Sequence, residues 1–198
     1  MMTKWRRLAL CLEWSCHGIP WLFFSVSWVS LLWWHPTDFY SPLALFLSDI
    51  ASSLQSLFPE GISSLFSDQW IKAVCLLFAL LLDICAVGII KCCVRRSRPE
   101  GSRIEDMKLT VPQDAWSFPS GHASRSALLF WLLPRMFHFN SWMFLLLLSW
   151  TIAVCLSRYT MKRHHLSDVI AGFVLGSLEY YIVISIPWPL LFWLPNVP

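Results

Sequence analysis

Apolar residues fall in long blocks along this chain, separated by short polar stretches. The block lengths suit helices that cross a bilayer, which need about 17–25 mostly apolar residues. Spans are predicted at about 18–34, 70–90, 122–137, 141–156 and 166–186, with Pro134 close to the end of the third. Gly172 and Gly176 form a small-xxx-small pair in the last span, a spacing that lets a neighbouring helix come close. Residues 43–58 read differently. Leu43, Phe46, Leu47, Ile50, Leu54, Leu57 and Phe58 recur at helical spacing, while Ser48, Asp49, Ser52, Ser53, Gln55 and Ser56 fill the other face. That pattern predicts an amphipathic helix lying in the interface rather than crossing it. The expected fold is all-α, a multi-pass transmembrane helical bundle of about five spans plus one interfacial helix. A single domain is expected over residues 1–198.

Composition supports the membrane reading. The chain is 57% hydrophobic and 14% charged, with a mean hydropathy of +0.57. A soluble domain carries about 25% charged residues. The 13 Trp suit rings placed at headgroup level. Net charge is +3 but unevenly spread. Lys91, Arg95, Arg96, Arg98, Arg103 and Lys108 crowd the loop 91–118, whereas 35–69 holds Asp38, Asp49, Glu60 and Asp68 and no Lys or Arg. If 43–58 does not cross, that basic loop shares a side with the N-terminus. Positive charge marks the cytosolic side, so residues 1–13 and the basic loop are expected there and the acidic segment in the lumen. Lys4, Arg6 and Arg7 followed by Leu8 imitate a signal peptide, but Glu13 cuts the apolar stretch short, so a retained end is expected.

The seven Cys show no metal-ligand spacing and no disulfide framework. Cys11, Cys16, Cys75, Cys85 and Cys155 lie in or beside apolar runs and read as small hydrophobes. Cys92-Cys93 stands at a membrane boundary, where S-acylation is the alternative.

Three polar stretches lie at span ends and carry candidate chemistry. Lys91 precedes Arg98-Pro99 with six residues between them; Pro119-Ser120-Gly121-His122 opens a span; Ser157-Arg158, His164 and Asp168 join two more. Phosphoryl transfer spreads negative charge over the equatorial oxygens, and catalysis is mainly positioning and electrostatic stabilisation. Lys91, Arg98 and Arg158 can form that clamp, Arg with a planar fork and Lys with a point charge. Ser120-Gly121 at a helix start offers unpaired backbone N–H groups to an anion, Ser120 can cap the helix or donate its hydroxyl, and Gly121 leaves room for close approach. His164 and Asp168 are four residues apart and would share a helix face. A carboxylate on one ring nitrogen would leave the other nucleophilic toward phosphorus, and His122 would then serve as acid and base. Each residue also has an ordinary reading: snorkelling cations, a solvated His164-His165 loop, or a plain helix entry. Their ordered spacing at span ends favours one joint site. Arg125, one turn beyond Gly121, either touches phosphate or solvates the helix surface, and His165 flanks the site. Arg95 and Arg96 either meet a second phosphate or attract anionic headgroups.

These stretches resemble the signature of the type 2 phosphatidic acid phosphatase (lipid phosphate phosphatase) superfamily, which includes vanadium haloperoxidases. The resemblance implies phosphate binding by Lys91, Arg98, Ser120, Gly121 and Arg158, a phosphohistidine on His164, orientation by Asp168 and acid/base work by His122. It implies a helical bundle with no metal and no cofactor. His17-Gly-Ile-Pro-Trp21, Leu77-Phe-Ala-Leu-Leu-Leu-Asp83, Val94-Arg-Arg-Ser-Arg-Pro99 and Ser117-Phe-Pro-Ser-Gly-His-Ala123 are similar to the type 6 branch, which acts on polyisoprenoid diphosphates. The segment near 43–66 looks inserted relative to that branch, and its N-terminal polar region is short here.

The expected partners are a lipid phosphate or prenyl diphosphate substrate and the bilayer, with no nucleic acid. Presqualene, farnesyl and geranylgeranyl diphosphates lead, followed by phosphatidate, lysophosphatidate and sphingoid phosphates. A catalytically silent lipid-binding scaffold and a vanadate peroxidase are the competing classes. The resemblance places the protein in the endoplasmic reticulum and nuclear envelope.

Overall fold

The computed structural model describes residues 4–34, 62–100, 115–186 and 188, and all regular structure among them is helical. In chain order the elements are α1 (Lys4–Ser15), α2 (Gly18–Trp34), α3 (Ile62–Val94), α4 (Gly121–Met136), α5 (Ser141–Thr160) and α6 (Leu166–Ser185). The interfacial stretch expected at 43–58 lies outside the described residues.

The chain divides into two compact units, one of Met1–Leu22 and Phe78–Ile186, the other of Phe23–Leu77 and Pro187–Pro198. In the second unit, Trp33 and Trp70 stack at a tilt with ring centroids 5.8 Å apart, and Phe24 meets Trp28 at 5.9 Å. The candidate site lies wholly in the first.

Helix boundaries follow from local chemistry. Arg95 adopts a left-handed backbone (φ 47°), and its N–H bonds the Lys91 carbonyl at 3.0 Å, closing α3. The Ser120 side chain caps α4 by accepting from the Ala123 N–H at 3.5 Å. Asn140 caps α5, its Oδ1 accepting from the Met143 N–H at 2.8 Å. Pro134 sits inside α4, which ends at Met136.

Among the described residues, four stretches are long and apolar enough to cross a membrane: Arg7–Trp33, Gln69–Val94, Ser141–Thr160 and Leu166–Ser185. The remaining expected span, 122–137, forms α4, which has 16 residues. At about 1.5 Å per residue it falls short of a hydrocarbon core of about 30 Å. Its burial explains why that suffices. Residues 123–130 are all buried, and α4 packs most extensively against α6 and next against α5. On α6, Ile170, Val174, Leu178 and Ile182 are exposed at four-residue spacing, the stripe that lipid would cover. The opposite side carries Gly172, Gly176 and Val183, all buried.

The glycine pair sets the α4–α6 approach. A Cβ at Gly172 would collide with the Ser120 carbonyl oxygen, and one at Gly176 with the Ser124 carbonyl oxygen. Both obstacles are backbone, so neither can swing aside. Gly176→Ala is therefore expected to force α4 and α6 apart and to destabilise the protein by about 1–3 kcal/mol. Thermal unfolding of the purified variant in detergent checks this, and an unchanged Tm would contradict the close approach.

Candidate active site

Ser117 ties the parts of the site together. Its N–H donates to the Arg96 carbonyl at 2.9 Å and its hydroxyl to the Ser97 carbonyl at 2.9 Å, fastening the segment after α3 to the one before α4. Its own carbonyl lies 2.7 Å from Nδ1 of the buried His164 ring. A carbonyl oxygen only accepts, so Nδ1 carries the proton and Nε2 holds the lone pair. His164 sits in the α5–α6 turn, outside the spans. Burial pushes its imidazole well below the ordinary value; Arg98, Lys91 and Arg158 push the same way, and the Ser117 bond works against them. The ring is therefore neutral at neutral pH, the state a nucleophile needs.

The cations expected from the sequence gather on this ring. Lys91 is buried in the last turn of α3. Arg98 donates to the Arg163 carbonyl at 3.0 Å, bringing the segment after α3 against the His164 turn. Arg158 is buried at the end of α5. All three lie within electrostatic reach of His164, while Arg158, Arg125, His164 and His17 lie within reach of His122. Arg158 is common to both rings. His122 Nε2 is buried and has no hydrogen-bond partner among the described residues.

The turn at Ser120-Gly121, expected to bind phosphate, departs from expectation in one detail. The Ser120 N–H is taken up by the Asp168 carbonyl at 3.0 Å, and the Ser120 hydroxyl serves the cap. The N–H groups of Gly121 and His122, at the first positions of α4, are the ones with no intrahelical acceptor. Gly121 approaches Val87 closely, since a Cβ there would lie 3.3 Å from its methyl group.

Asp168 does not bond the His164 ring in the way a shared helix face implied. α6 begins at Leu166, so His164 precedes the helix and four-residue spacing places nothing on a common face. Asp168 instead works as a helix-start residue. Its Oδ2 accepts the His165 N–H at 2.9 Å, and its Oδ1 pairs with Arg96 at 2.7 Å. With its carbonyl on the Ser120 N–H, it ties the starts of α4 and α6 to the basic loop. Arg96, expected at headgroups or a second phosphate, is engaged by Asp168 and by the Ser167 hydroxyl at 2.7 Å. Arg95 folds back on the Cys92 carbonyl at 2.9 Å.

Arg125 is buried and paired with Asp83 at 2.6 Å, and it also donates to the Cys16 carbonyl at 3.2 Å. Its guanidinium packs against Gly18, where a Cβ would stand 3.2 Å away. Glu179 completes this buried cluster, accepting from the Ser124 hydroxyl at 3.4 Å.

The corner between α1 and α2 contributes groups that motif reading left without a role. Glu13 pairs with Arg158 at 3.2 Å. The Cys16 thiol donates to the His122 carbonyl at 3.3 Å, and the His17 ring stands edge-on to His122 with centroids 6.0 Å apart. Glu13 and Asp83 had a signal, each being a lone carboxylate in an apolar run. Ser117 acts at His164 through its carbonyl, which no side-chain pattern reveals.

This arrangement of a neutral imidazole, a second imidazole and converging cations defines a class before any relative is considered: a phosphate-handling membrane protein. A family model for the PAP2 superfamily matches residues 72–191. The chain is similar to a probable lipid phosphate phosphatase beta of Arabidopsis thaliana, 31% identical over 170 residues, covering 71% of this chain and 78% of that protein. It is also similar to the crystal structure of a transmembrane PAP2-type phosphatidylglycerolphosphate phosphatase from Bacillus subtilis. That match has 18% identity and a TM-score of 0.45, and covers 85% of this chain and 94% of that one. The chain belongs to the PAP2 superfamily. It is an integral membrane protein and a phosphatase by class.

Proposed function

We propose that this protein hydrolyses lipid phosphates through a phosphohistidine on His164, with polyisoprenoid diphosphates as its preferred substrates. The observation that carries the reading is the Ser117 carbonyl on His164 Nδ1, at 2.7 Å, which aims the lone pair out through Nε2. Lys91, Arg98 and Arg158 hold the terminal phosphoryl group, with the Gly121 and His122 N–H groups at its backbone side and Ser120 shaping the helix start as its cap. Nε2 attacks phosphorus while the bond to the leaving oxygen breaks, and His122 delivers a proton to that oxygen. Water, deprotonated by His122, then attacks the phosphohistidine and phosphate departs. The three cations supply the charge stabilisation directly, so the reaction needs no metal. Asp168 acts as a positioning residue that holds the His164 turn against the loop at Ser120. The lipid tail lies among the spans and the headgroup meets the basic rim.

The Arabidopsis relative's description supports a lipid phosphate as substrate. The segments similar to the type 6 branch support a prenyl diphosphate and an endoplasmic reticulum and nuclear envelope location, and the basic residues 91–108 support a site on the cytosolic side. A substrate panel in detergent with EDTA present tests the assignment. Phosphate release is expected to be fastest from farnesyl and presqualene diphosphates and slower from phosphatidate, with EDTA without effect. A reversed order would assign the site to glycerolipids, and no release from any member would leave a silent scaffold.

A further inference from the structure

Glu13 lies outside the matched family region, on a helix the motifs say nothing about, yet its carboxylate is inside the site. The Arg158–Glu13 pair joins residues 145 positions apart, with side-chain exposures of 1% and 6%. The end of α1 is held from several sides. Trp150 Nε1 donates to the Ser15 hydroxyl at 2.9 Å, Trp21 Nε1 donates to the Ser15 carbonyl at 2.8 Å, and Arg125 grips the Cys16 carbonyl. Glu13 is thus presented to Arg158 by a fixed backbone. The contact itself is modest: one oxygen, one guanidinium nitrogen, 3.2 Å. A two-pronged Arg–oxyanion contact is shorter and stronger.

We infer that Glu13 is a resident carboxylate that holds Arg158 while the site is empty and cedes it to the phosphate of substrate or product. This rests on the reading that Arg158 binds phosphate. A buried guanidinium with no anion is costly, so an empty site needs a stand-in. A phosphate dianion matches the planar fork better than a single carboxylate oxygen and takes Arg158 from it. Glu13 is then a negative charge beside a bound anion, which weakens the hold on phosphate and speeds product release. A residue that only positions Arg158 would have the opposite effect, because its loss would weaken phosphate binding.

The test measures inhibition of the full-length purified protein by inorganic phosphate, together with KM and kcat for the lipid substrate. Glu13→Gln keeps the shape and removes the charge. It is expected to tighten inhibition by inorganic phosphate about tenfold, within the usual range for coupled sites, and to lower KM and kcat together. Glu13→Ala, measured on the folded fraction, is expected to shift inhibition the same way even if its Tm falls. Unchanged or weaker inhibition in both variants would overturn the proposal. Arg158→Lys separates the two layers. If it leaves phosphate affinity unchanged, the phosphate site itself is misassigned. If it weakens phosphate while the Glu13 variants fail to tighten it, only the role of Glu13 is lost.

Discussion

Replacing His164 with alanine is expected to abolish turnover and the labelled phosphoenzyme together. The proposed mechanism makes this ring the nucleophile: Nδ1 is committed to the Ser117 carbonyl, the ring is held neutral, and the cations expected to hold phosphate lie within electrostatic reach of it. Water cannot inherit that geometry, because its attack in the second step depends on the covalent intermediate. The loss in kcat/KM should reach at least about 10,000-fold, the scale seen when a nucleophile is removed from a preorganised site. Rapid acid-free quenching with a substrate labelled in its terminal phosphate reads the intermediate, and phosphate release reads turnover. Undiminished release by His164→Ala would reject the mechanism. His122→Ala should impair both halves of the cycle, because in the proposed mechanism the same ring gives and takes the proton.

Asp83→Ala is expected to cause the largest loss of stability. Its carboxylate is fully buried and pairs with Arg125 at 2.6 Å, so the substitution strands a guanidinium inside the first unit. Removing one partner of a buried pair costs about 3–5 kcal/mol. Thermal unfolding in detergent should show a large fall in Tm, and the variant should accumulate poorly in membranes. Asp83→Leu with Arg125→Met, which removes both charges, should recover part of that loss. Activity should not recover with it, because Arg125 also holds the Cys16 carbonyl, and Cys16 in turn bonds the carbonyl of His122. A double variant with full activity would show that this chain of contacts does not align His122.

Much of the architecture was legible because two strong patterns carry it. Apolar block length marked the spans, and Gly172 and Gly176 marked a close helix approach whose partner, α4, only the structure names. The polar stretches at span ends foretold which residues meet: His122, His164, Lys91, Arg98 and Arg158 fall within electrostatic reach of one another in linked groups. What stayed hidden depends on particulars that periodicity does not encode. The start of α6 at Leu166, two residues past His164, decides that Asp168 caps a helix instead of holding a ring. The burial of α4 by α5 and α6 was hidden too, because hydropathy cannot tell lipid from protein neighbours. Arg96 and Arg125 each found a carboxylate far away in sequence, Asp168 and Asp83, and no local pattern assigns such pairs. Glu13 and Asp83 could have been singled out as lone charges among apolar residues. Their partners could not.

The Arg158–Glu13 pair has a consequence for how the protein is made. The ribosome delivers Glu13 to the membrane long before Arg158, and Asp168 follows later still. Contacts between such distant parts of a chain form late, after the intervening polypeptide is in place. A nascent chain halted before α5 therefore holds the carboxylate without its guanidinium, and one halted before α6 holds the turn at Ser120 without the Asp168 brace. The pairing that holds Arg158 and the brace at Ser120 are thus completed in order, the first with α5 and the second with α6.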